Sequence, residues 1–331
     1  MTEPHPATSG PVLDIRDVHV SFNLGRKQTV RALSGVSFGI NRKETLGLVG
    51  ESGCGKSSLA RAIVQLPPPT SGHVFLAGRD LTAMDAASLR AIRPRIQMVF
   101  QDPVSSLNPG RRIGRSIAAP LRAMGITDKA DIAFRVRRMM ASVGLDPGQY
   151  ADQYPGRLSG GQCQRVSIAR ALMTQPDVLI CDEPVSALDV SVQAQILNLL
   201  NKIKADFGLA MLFISHDLAV VKRVSDRVAV MYLGSICELA PVEALYSHPA
   251  HPYTRALLDA IPQAVPGNRW LPGTTVPEDF PSLISPPSGC RFHHRCPRMK
   301  APCAEQPPLM SEIENGHHVA CYFPVLEKLS K

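Results

Sequence analysis

A glycine-rich stretch near the start of the chain has residue types and spacing suited to binding phosphate. Residues 50–57 read Gly-Glu-Ser-Gly-Cys-Gly-Lys-Ser, which fits G-x-x-x-x-G-K-[ST] at every specified position. The glycines let successive backbone N–H groups surround an oxyanion at the positive end of the following helix. Lys56 can then reach the β- and γ-phosphates of a nucleotide, and the Ser57 hydroxyl can bind Mg²⁺. The residues expected to contact the nucleotide here are Gly50, Glu51, Ser52, Gly53, Cys54, Gly55, Lys56, Ser57 and Ser58.

Two acidic residues follow an apolar run further along the chain. Residues 178–181 read Val-Leu-Ile-Cys, and Asp182 and Glu183 come next. Such a run predicts a buried strand, at whose carboxyl end ligands lie in parallel α/β sheets. Asp182 is expected to interact with Mg²⁺, directly or through an intervening group, and Glu183 to polarise the attacking water as general base. An Asp-Glu pair is also common at ordinary solvated strand ends, but the upstream phosphate loop favours the catalytic interpretation.

The elements that must position these residues predict an α/β protein. Apolar residues nearly alternate over residues 13–22 and 36–40, as in antiparallel strands with one solvent-exposed face. Residues 58–66 predict a helix after the phosphate loop, ended by prolines. Fully apolar runs, which predict strands of a mostly parallel sheet with helices on both faces, lie at residues 46–49, 96–100, 178–181 and 211–214.

Two further regions differ in character from this α/β pattern. Between about residues 110 and 160, apolar residues recur at helical spacing, which predicts an inserted helical subdomain. Eleven of the 29 prolines fall between Pro262 and Pro308, a density that excludes long helices and central strands. We therefore predict a nucleotide-binding domain over residues 12–261 and a small proline- and cysteine-rich appendage over residues 262–331.

A third motif, which helps to interpret the phosphate loop and the acidic pair, is Leu-Ser-Gly-Gly-Gln at residues 158–162. With the phosphate loop and the acidic pair, it resembles the ABC-type ATPases, in which the phosphate loop of one subunit and the LSGGQ segment of the other close on the same ATP. The resemblance implies an ABC-type P-loop ATPase fold that binds ATP and Mg²⁺ and cannot form a complete site from one chain. The residues assigned to the partner's nucleotide are Ser159, Gly160, Gly161 and Gln162.

Four other positions match the family one at a time. Gln101, after an apolar strand, resembles the glutamine that contacts Mg²⁺ or water and faces the membrane-spanning partner. Asp189, in Ser-Ala-Leu-Asp, resembles the residue that acts across the dimer, and His216 resembles the switch histidine that holds the γ-phosphate and the water. Phe22 stands where the family carries an aromatic residue that stacks on adenine. A lone His or Phe is more often structural, so context carries these assignments.

Three features resemble the ATP-binding subunits of oligopeptide/dipeptide importers. They are Gln-Asp-Pro at residues 101–103 with Ser-Leu-Asn-Pro shortly after, His-Pro-Tyr-Thr at residues 251–254, and a four-cysteine tail. Gly-Gln-Cys-Gln-Arg at residues 161–165 is more similar to the second of the two paired ATPases in such importers. The likeness runs from about residue 12 to residue 324.

This resemblance implies a set of partners and a location. The partners are a second ATPase, expected to be a different chain, two membrane-spanning permeases and, indirectly, an extracytoplasmic solute-binding protein. The chain would lie peripherally on the cytoplasmic face of the cell membrane. Similar importers carry nickel, glutathione or other small solutes, so the transported solute stays open.

Four of the eight cysteines lie in the tail, at Cys290, Cys296, Cys303 and Cys321. Their spacing contains no C-x₂₋₄-C pair of the kind that zinc ribbons use. Four thiolates in a core-poor segment suit an iron–sulfur cluster, and the family resemblance points to [4Fe–4S]. Zinc is the alternative, with further candidate ligands at His293, His294, His317 and His318. Buried cysteines without metal are a third interpretation. Replacing one cysteine is expected to loosen the tail and to spare nucleotide binding.

Composition narrows the remaining classes of function. No run approaches the roughly eighteen apolar residues of a spanning helix, and the polar, proline-rich start does not resemble a signal peptide. The net charge of +8 favours anionic partners, but aromatic residues are only 5% and do not interleave with a basic patch, so nucleic acid is not expected. A soluble ABC ATPase acting on ribosomes or DNA is the alternative, although such proteins usually carry two ATPase domains or a long coiled coil. A metal- or redox-sensing module is a third hypothesis.

Overall fold

The structure is a computed structural model that describes residues 10–23, 25, 28–261 and 283–325. Its strands are β1 (Leu13–Asn23), β2 (Thr29–Ile40), β3 (Thr45–Val49), β4 (Ser71–Leu76), β5 (Arg79–Asp80), β6 (Ile96–Val99), β7 (Val178–Asp182), β8 (Ala210–Ile214), β9 (Arg227–Tyr232), β10 (Ser235–Pro241), β11 (Ser311–Glu314) and β12 (His317–Val319).

Helices alternate with many of these strands. They are α1 (Lys56–Ile63), α2 (Ala86–Ile92), α3 (Ile113–Ile117), α4 (Ala119–Ala123), α5 (Lys129–Ser142), α6 (Pro147–Tyr150), α7 (Gly160–Leu172), α8 (Val190–Phe207), α9 (Leu218–Val224), α10 (Val242–Ser247), α11 (Pro252–Asp259) and α12 (Ala301–Glu305). Single 3₁₀ turns lie at Arg93–Arg95, Pro155–Arg157 and His293–Arg295. No helix in the described part of the chain combines the length and apolar character needed to cross a bilayer.

Contacts divide the described chain into two compact units. The first holds residues 10–14, 39–44 and 75–214, and the second holds residues 15–23, 25, 28–38, 45–74, 215–261 and 283–325. The predicted domain boundary at residue 261 borders residues 262–282, which lie outside the described part. That boundary therefore stays a prediction, as does most of the proline-rich stretch that suggested it.

The first unit contains the parallel strands β6, β7 and β8. Val178 of β7 pairs with Ile96 of β6 and with Ala210 of β8, and the three strands run parallel. Every residue of β7 and β8 is buried, as expected for strands with both faces covered. The strands predicted at these positions are confirmed to within one residue at each end.

Helices α3 to α6 of the first unit form where helical periodicity was expected, and α7 begins where that predicted region of about residues 110–160 ends. In α5 the buried residues are Ile132, Val136 and Met140, one per helical turn, so a single apolar face packs inward. The Asp128 carboxylate accepts hydrogen bonds from the backbone N–H groups of Ala130 and Asp131 and so caps the start of α5. The helical character of this region is confirmed, and its limits as a subdomain remain a prediction.

The second unit joins parallel and antiparallel pairing. β3 runs parallel to β9, with Val49 opposite Val230, and β9 pairs antiparallel with β10. β10 then pairs antiparallel with β12, and β12 with β11. The C-terminal residues thus add strands to the sheet of the second unit, a connection that the proline-rich composition did not predict. Strands β2, β1 and β4 are neighbours in that order.

Candidate nucleotide site and cysteine cluster

The phosphate loop has the strand–loop–helix context that its sequence motif requires. β3 ends at Val49 and α1 begins at Lys56, so residues 50–55 form the turn between them. At Gly50 a Cβ atom would lie 2.2 Å from the backbone oxygen of Met231. Gly55 has a φ of +110°, in the left-handed region that glycine tolerates. Both positions therefore require glycine for a physical reason.

The Lys56 side chain folds back onto this loop. Its side chain is only 6% exposed, and its Nζ donates hydrogen bonds to the backbone oxygens of Gly50 at 2.7 Å and Glu51 at 2.9 Å. The ammonium group is thus held at the loop whose backbone would bind phosphate. Ser57 and Ser58 are half-buried in the first turn of α1, directly after it.

His216 follows β8 and is exposed. The backbone N–H of Ser215, one residue earlier, donates to the backbone oxygen of Leu48 at 3.2 Å, which ties this segment to the strand entering the phosphate loop. Phe22 lies near the end of β1 and is 39% exposed, so its ring is accessible to a ligand. Sequence placed both residues with the nucleotide, and the structure puts both in the same unit as the loop.

The acidic pair lies at the carboxyl end of β7. Asp182 is the last residue of β7 and is 3% exposed. Glu183 has a φ of +46°, which is unusual for a residue other than glycine. Its backbone N–H donates a hydrogen bond to the backbone oxygen of Ile214 at 3.0 Å. Its carboxylate accepts a 2.9 Å hydrogen bond from Nε2 of Gln101. The structure thus brings together the glutamine and the general base that sequence proposed separately.

The LSGGQ segment begins helix α7. Ser159 is the N-cap, its Oγ accepts from the backbone N–H of Gln162, and Oε1 of Gln162 accepts from the backbone N–H of Ser159, so the two form a capping box. Ser159 and Gly160 are exposed, whereas Gly161 is buried beside Val192. The remaining amide group of Gln162 donates to the Tyr150 hydroxyl at 3.0 Å, so its contact with a nucleotide stays a prediction.

Asp189 is exposed and precedes helix α8. This loop borders the LSGGQ segment, because a Cβ on Gly160 would lie in ordinary contact, 3.4 Å, with Leu188. Ser186 of the same loop donates to the backbone oxygen of Glu183 at 3.1 Å. Within the first unit, the loop that carries Asp189 therefore connects the acidic pair with the exposed start of α7.

Two residues that sequence analysis did not assign to the site contact Glu51 of the phosphate loop. The backbone N–H of Glu51 donates to the Tyr253 hydroxyl at 3.0 Å, and the Glu51 carboxylate pairs with the Arg295 guanidinium. Tyr253 belongs to the His-Pro-Tyr-Thr segment, which sequence analysis used only as a family marker. Arg295 carried no signal, since it matches no motif and lies 244 residues from Glu51.

The four tail cysteines surround one small cavity. Its lining includes Cys290, Cys296, Cys303, Cys321, His251 and His293. Burial raises the pKa of the Cys290 and Cys296 thiols above their ordinary value, and it raises the pKa of Cys321 to about 11. Thiols in such surroundings stay protonated unless a bound metal favours the thiolate. The structure therefore places around one cavity the four cysteines that sequence analysis grouped only because they lie near one another in the chain.

The histidines considered as alternative zinc ligands do not share one site. His293 lines this cavity, but Nε2 of His317 lies 2.7 Å from Oε1 of Glu238 in a buried pair. Among the residues that the structure describes, no group of three or more His, Cys, Asp or Glu side chains is arranged to hold a metal ion. The iron–sulfur and zinc assignments are therefore without support from ligand geometry.

The strand–loop–helix turn, the acidic pair and the capped LSGGQ helix together define a phosphate-loop ATPase. Known proteins resemble it over nearly its whole length. Residues 33–186 match the family described as "ABC transporter", and residues 237–303 match "Oligopeptide/dipeptide transporter, C-terminal region".

Individual relatives agree with this match. The chain is 47% identical to the oligopeptide transport ATP-binding protein OppF of Escherichia coli, over 94% of this chain and 95% of that protein. It is 44% identical to the oligopeptide transport ATP-binding protein AppF of Bacillus subtilis, over 96% and 98%. The solved structure of the ATP-binding cassette MJ0796 bound to ADP and Pi has a TM-score of 0.64 and 28% identity, over 70% of this chain and 98% of that one.

The chain belongs to the ABC transporter family, among the ATP-binding subunits of the oligopeptide/dipeptide type. It is the ATP-hydrolysing subunit of an importer, and the alternative of a soluble ABC ATPase acting on ribosomes or DNA is not favoured. The α/β phosphate-loop fold expected from sequence is confirmed.

Proposed function

We propose that this chain uses ATP hydrolysis to energise uptake of oligopeptides, dipeptides or a related small solute through two membrane-spanning permeases. The observation that supports it most is that the cassette match and the oligopeptide/dipeptide C-terminal match occur on one chain. Relatives that span nearly the same length are described as oligopeptide transport ATP-binding proteins. The site of action is the cytoplasmic face of the membrane, where the chain is peripheral.

The proposed chemistry assigns one task to each group of residues. The backbone N–H groups of residues 50–57 and Lys56 bind the phosphates, and the family resemblance assigns Ser57 and, separately, Asp182 and Gln101 to Mg²⁺. Bound Mg²⁺ would neutralise charge that develops on the phosphate oxygens. Glu183 takes a proton from the attacking water as general base.

Gln101 and His216 complete this assignment. Because Gln101 donates to the Glu183 carboxylate, it orients the proposed base. His216 contacts the γ-phosphate, and the exposed ring of Phe22 stacks on adenine.

We propose that a complete ATP site requires a second ATPase subunit. Ser159 and Gly160 are exposed at the start of α7, where backbone N–H groups without a helical partner suit an anion brought by another chain. Exposed Asp189 lies in the neighbouring loop and would contact the same partner. The related cassette MJ0796 is described as dimeric. The partner is proposed to be a different chain, with an extracytoplasmic binding protein delivering the solute.

The cysteine cluster is proposed to hold a [4Fe–4S] cluster. Four cysteines lining one cavity match the ligand number of such a cluster. When bound, the cluster would supply iron–thiolate bonds that tie residues 290–321 together, so its binding energy would stabilise this segment.

Transport by a reconstituted complex tests the main proposal. The chain would be co-expressed with the permeases, ATPase and binding protein encoded by its neighbouring genes, and ATP-dependent uptake of labelled di- and oligopeptides measured in proteoliposomes. We expect uptake that is lost with Lys56→Ala and retained with Lys202→Ala, an exposed lysine of α8. Uptake of nickel or glutathione, but of no peptide, would assign a different solute. ATP turnover by the chain alone without any permease requirement would contradict the proposal.

A further inference from the structure

Glu51 of the phosphate loop is held at three points by other residues of its own, second unit. Its backbone N–H donates to the Tyr253 hydroxyl at 3.0 Å, and its backbone oxygen accepts from Lys56 Nζ at 2.9 Å. Its carboxylate accepts from both terminal nitrogens of Arg295, each at 3.0 Å. One residue thus connects the phosphate-binding lysine with two side chains from distant parts of the chain.

Arg295 is presented by the cysteine-bearing segment, residues 290–321. It ends the 3₁₀ turn His293–Arg295 and directly precedes Cys296. The side chain is 8% exposed, donates to the Tyr232 hydroxyl at 3.2 Å and lies 5.7 Å from the centre of the Tyr232 ring. Burial by itself lowers the pKa of Arg295, but the hydrogen bonds to Glu51 and Tyr232 outweigh it and raise the pKa. A charged, two-pronged pair fixes distance and orientation together.

Tyr253 is packed into the same place. Its ring centre lies 4.6 Å from that of Tyr232 and 5.3 Å from that of Phe292, which also belongs to the cysteine-bearing segment. Tyr253 is 1% exposed, and burial raises the pKa of its hydroxyl, so the group remains neutral and accepts the Glu51 N–H. The ring packing therefore holds the hydroxyl where the phosphate loop needs an acceptor.

We propose that Arg295 and Tyr253 are positioning residues for ATP binding, which hold the phosphate loop in place through Glu51. ATP affinity then depends on the folded cysteine-bearing segment, because that segment carries Arg295. The inference rests on the assignment of residues 50–57 as the phosphate loop. A shift of Glu51 would move the carbonyl that holds Lys56, together with the adjacent N–H groups that would surround phosphate.

A double-mutant cycle measured on the assembled transporter tests this proposal. We expect Arg295→Gln and Glu51→Gln each to raise the Kd and KM for ATP about tenfold, with little change in kcat. The Kd for ATP of the double variant should be no higher than that of the single variant with the higher Kd, because both substitutions remove the same ion pair. Arg295→Lys should lose part of the affinity, since an ammonium group cannot form the two-pronged contact. Glu305→Gln, at an exposed glutamate of α12 in the same segment, serves as the matched control and should behave as the unmodified protein.

Tyr253→Phe separates positioning from folding. It keeps the buried ring and removes only the acceptor of the Glu51 N–H, so we expect folded protein whose Kd for ATP rises about fivefold. Unchanged ATP affinity in both Arg295→Gln and Tyr253→Phe, while Lys56→Ala loses binding, would overturn the positioning roles and leave the phosphate loop assignment intact. Unchanged binding in Lys56→Ala would instead show that the loop assignment itself is wrong.

Discussion

Gln101 and Glu183 are joined by a 2.9 Å hydrogen bond from the side-chain amide of one to the carboxylate of the other. The two residues are 82 positions apart, but each follows a strand of the same parallel pair, with Val99 opposite Cys181. The carboxyl ends of β6 and β7 therefore meet, and the side chains that follow them can touch. The bond orients the proposed base by means of a glutamine that the family resemblance places toward the membrane-spanning partner.

Replacing Glu183 by Gln is expected to separate ATP binding from hydrolysis. The variant keeps the shape of the side chain but cannot accept a proton, so hydrolysis by the assembled transporter should fall by about 10²–10⁴-fold while the Kd for ATP stays close to normal. Phosphate release and nucleotide binding measure the two effects. Glu243→Gln, at an exposed glutamate in the first turn of α10, is the matched control. A normal hydrolysis rate in the Glu183 variant would show that another group is the base.

Gln101 is expected to act through Glu183. Gln101→Ala removes the donor to the carboxylate, so kcat should fall by about tenfold with a smaller change in KM. In the Glu183→Gln background the same substitution should cause little further loss, because the two residues act as one unit. Steady-state kinetics of the four proteins provide the cycle. Fully additive losses would contradict a role through the base.

Ser159 is expected to act on a nucleotide that another subunit holds. Ser159→Arg should leave ATP binding by the isolated chain unchanged but lower hydrolysis in the assembled transporter by at least about tenfold, because a bulky cation would occupy the exposed start of α7. Ser88→Arg, at an exposed serine of α2, controls for the added side chain. The unmodified isolated chain should itself be a poor ATPase whose turnover rises with its partners. Full turnover by a monomer would contradict the shared site.

The cysteine cluster gives a prediction about metal content. Protein purified without oxygen should be brown and contain about four iron and four sulfide per chain, and Cys303→Ser should remove the colour. Elemental analysis and absorption spectra measure this directly. Stoichiometric zinc without iron would favour the zinc alternative, and protein free of both metals would leave buried cysteines as the remaining interpretation.

The Cys303→Ser variant also tests an expectation from sequence that the structure revises. Sequence alone predicts that loss of a tail cysteine spares nucleotide binding, because the tail carries no nucleotide motif. Arg295 lies beside Cys296 and pairs with Glu51, so we now expect Cys303→Ser to weaken ATP binding as well. Nucleotide titration of iron-free and iron-containing protein distinguishes the two expectations.

The sequence by itself determined the class of protein, because its main motifs are local. The glycines of residues 50–55 encode a turn that only glycine can adopt at Gly50 and Gly55, and apolar runs encode buried strands such as β7 and β8. Ser159 and Gln162, three residues apart, encode the capped start of a helix. In each case the physical constraint acts over a few residues, so spacing along the chain reports it.

Only the tertiary structure decided which distant residues meet. Gln101 reaches Glu183 because β6 and β7 are neighbours in one register, and the four tail cysteines share a cavity because the segment folds around it. Arg295 reaches Glu51 across 244 residues, and β12 joins β10 although no local pattern pairs them. Such contacts depend on strand order and on packing, and separation along a chain contains no information about either. For that reason sequence could propose nucleotide-binding residues from local motifs, whereas it gave no sign of contacts such as that of Arg295 with Glu51.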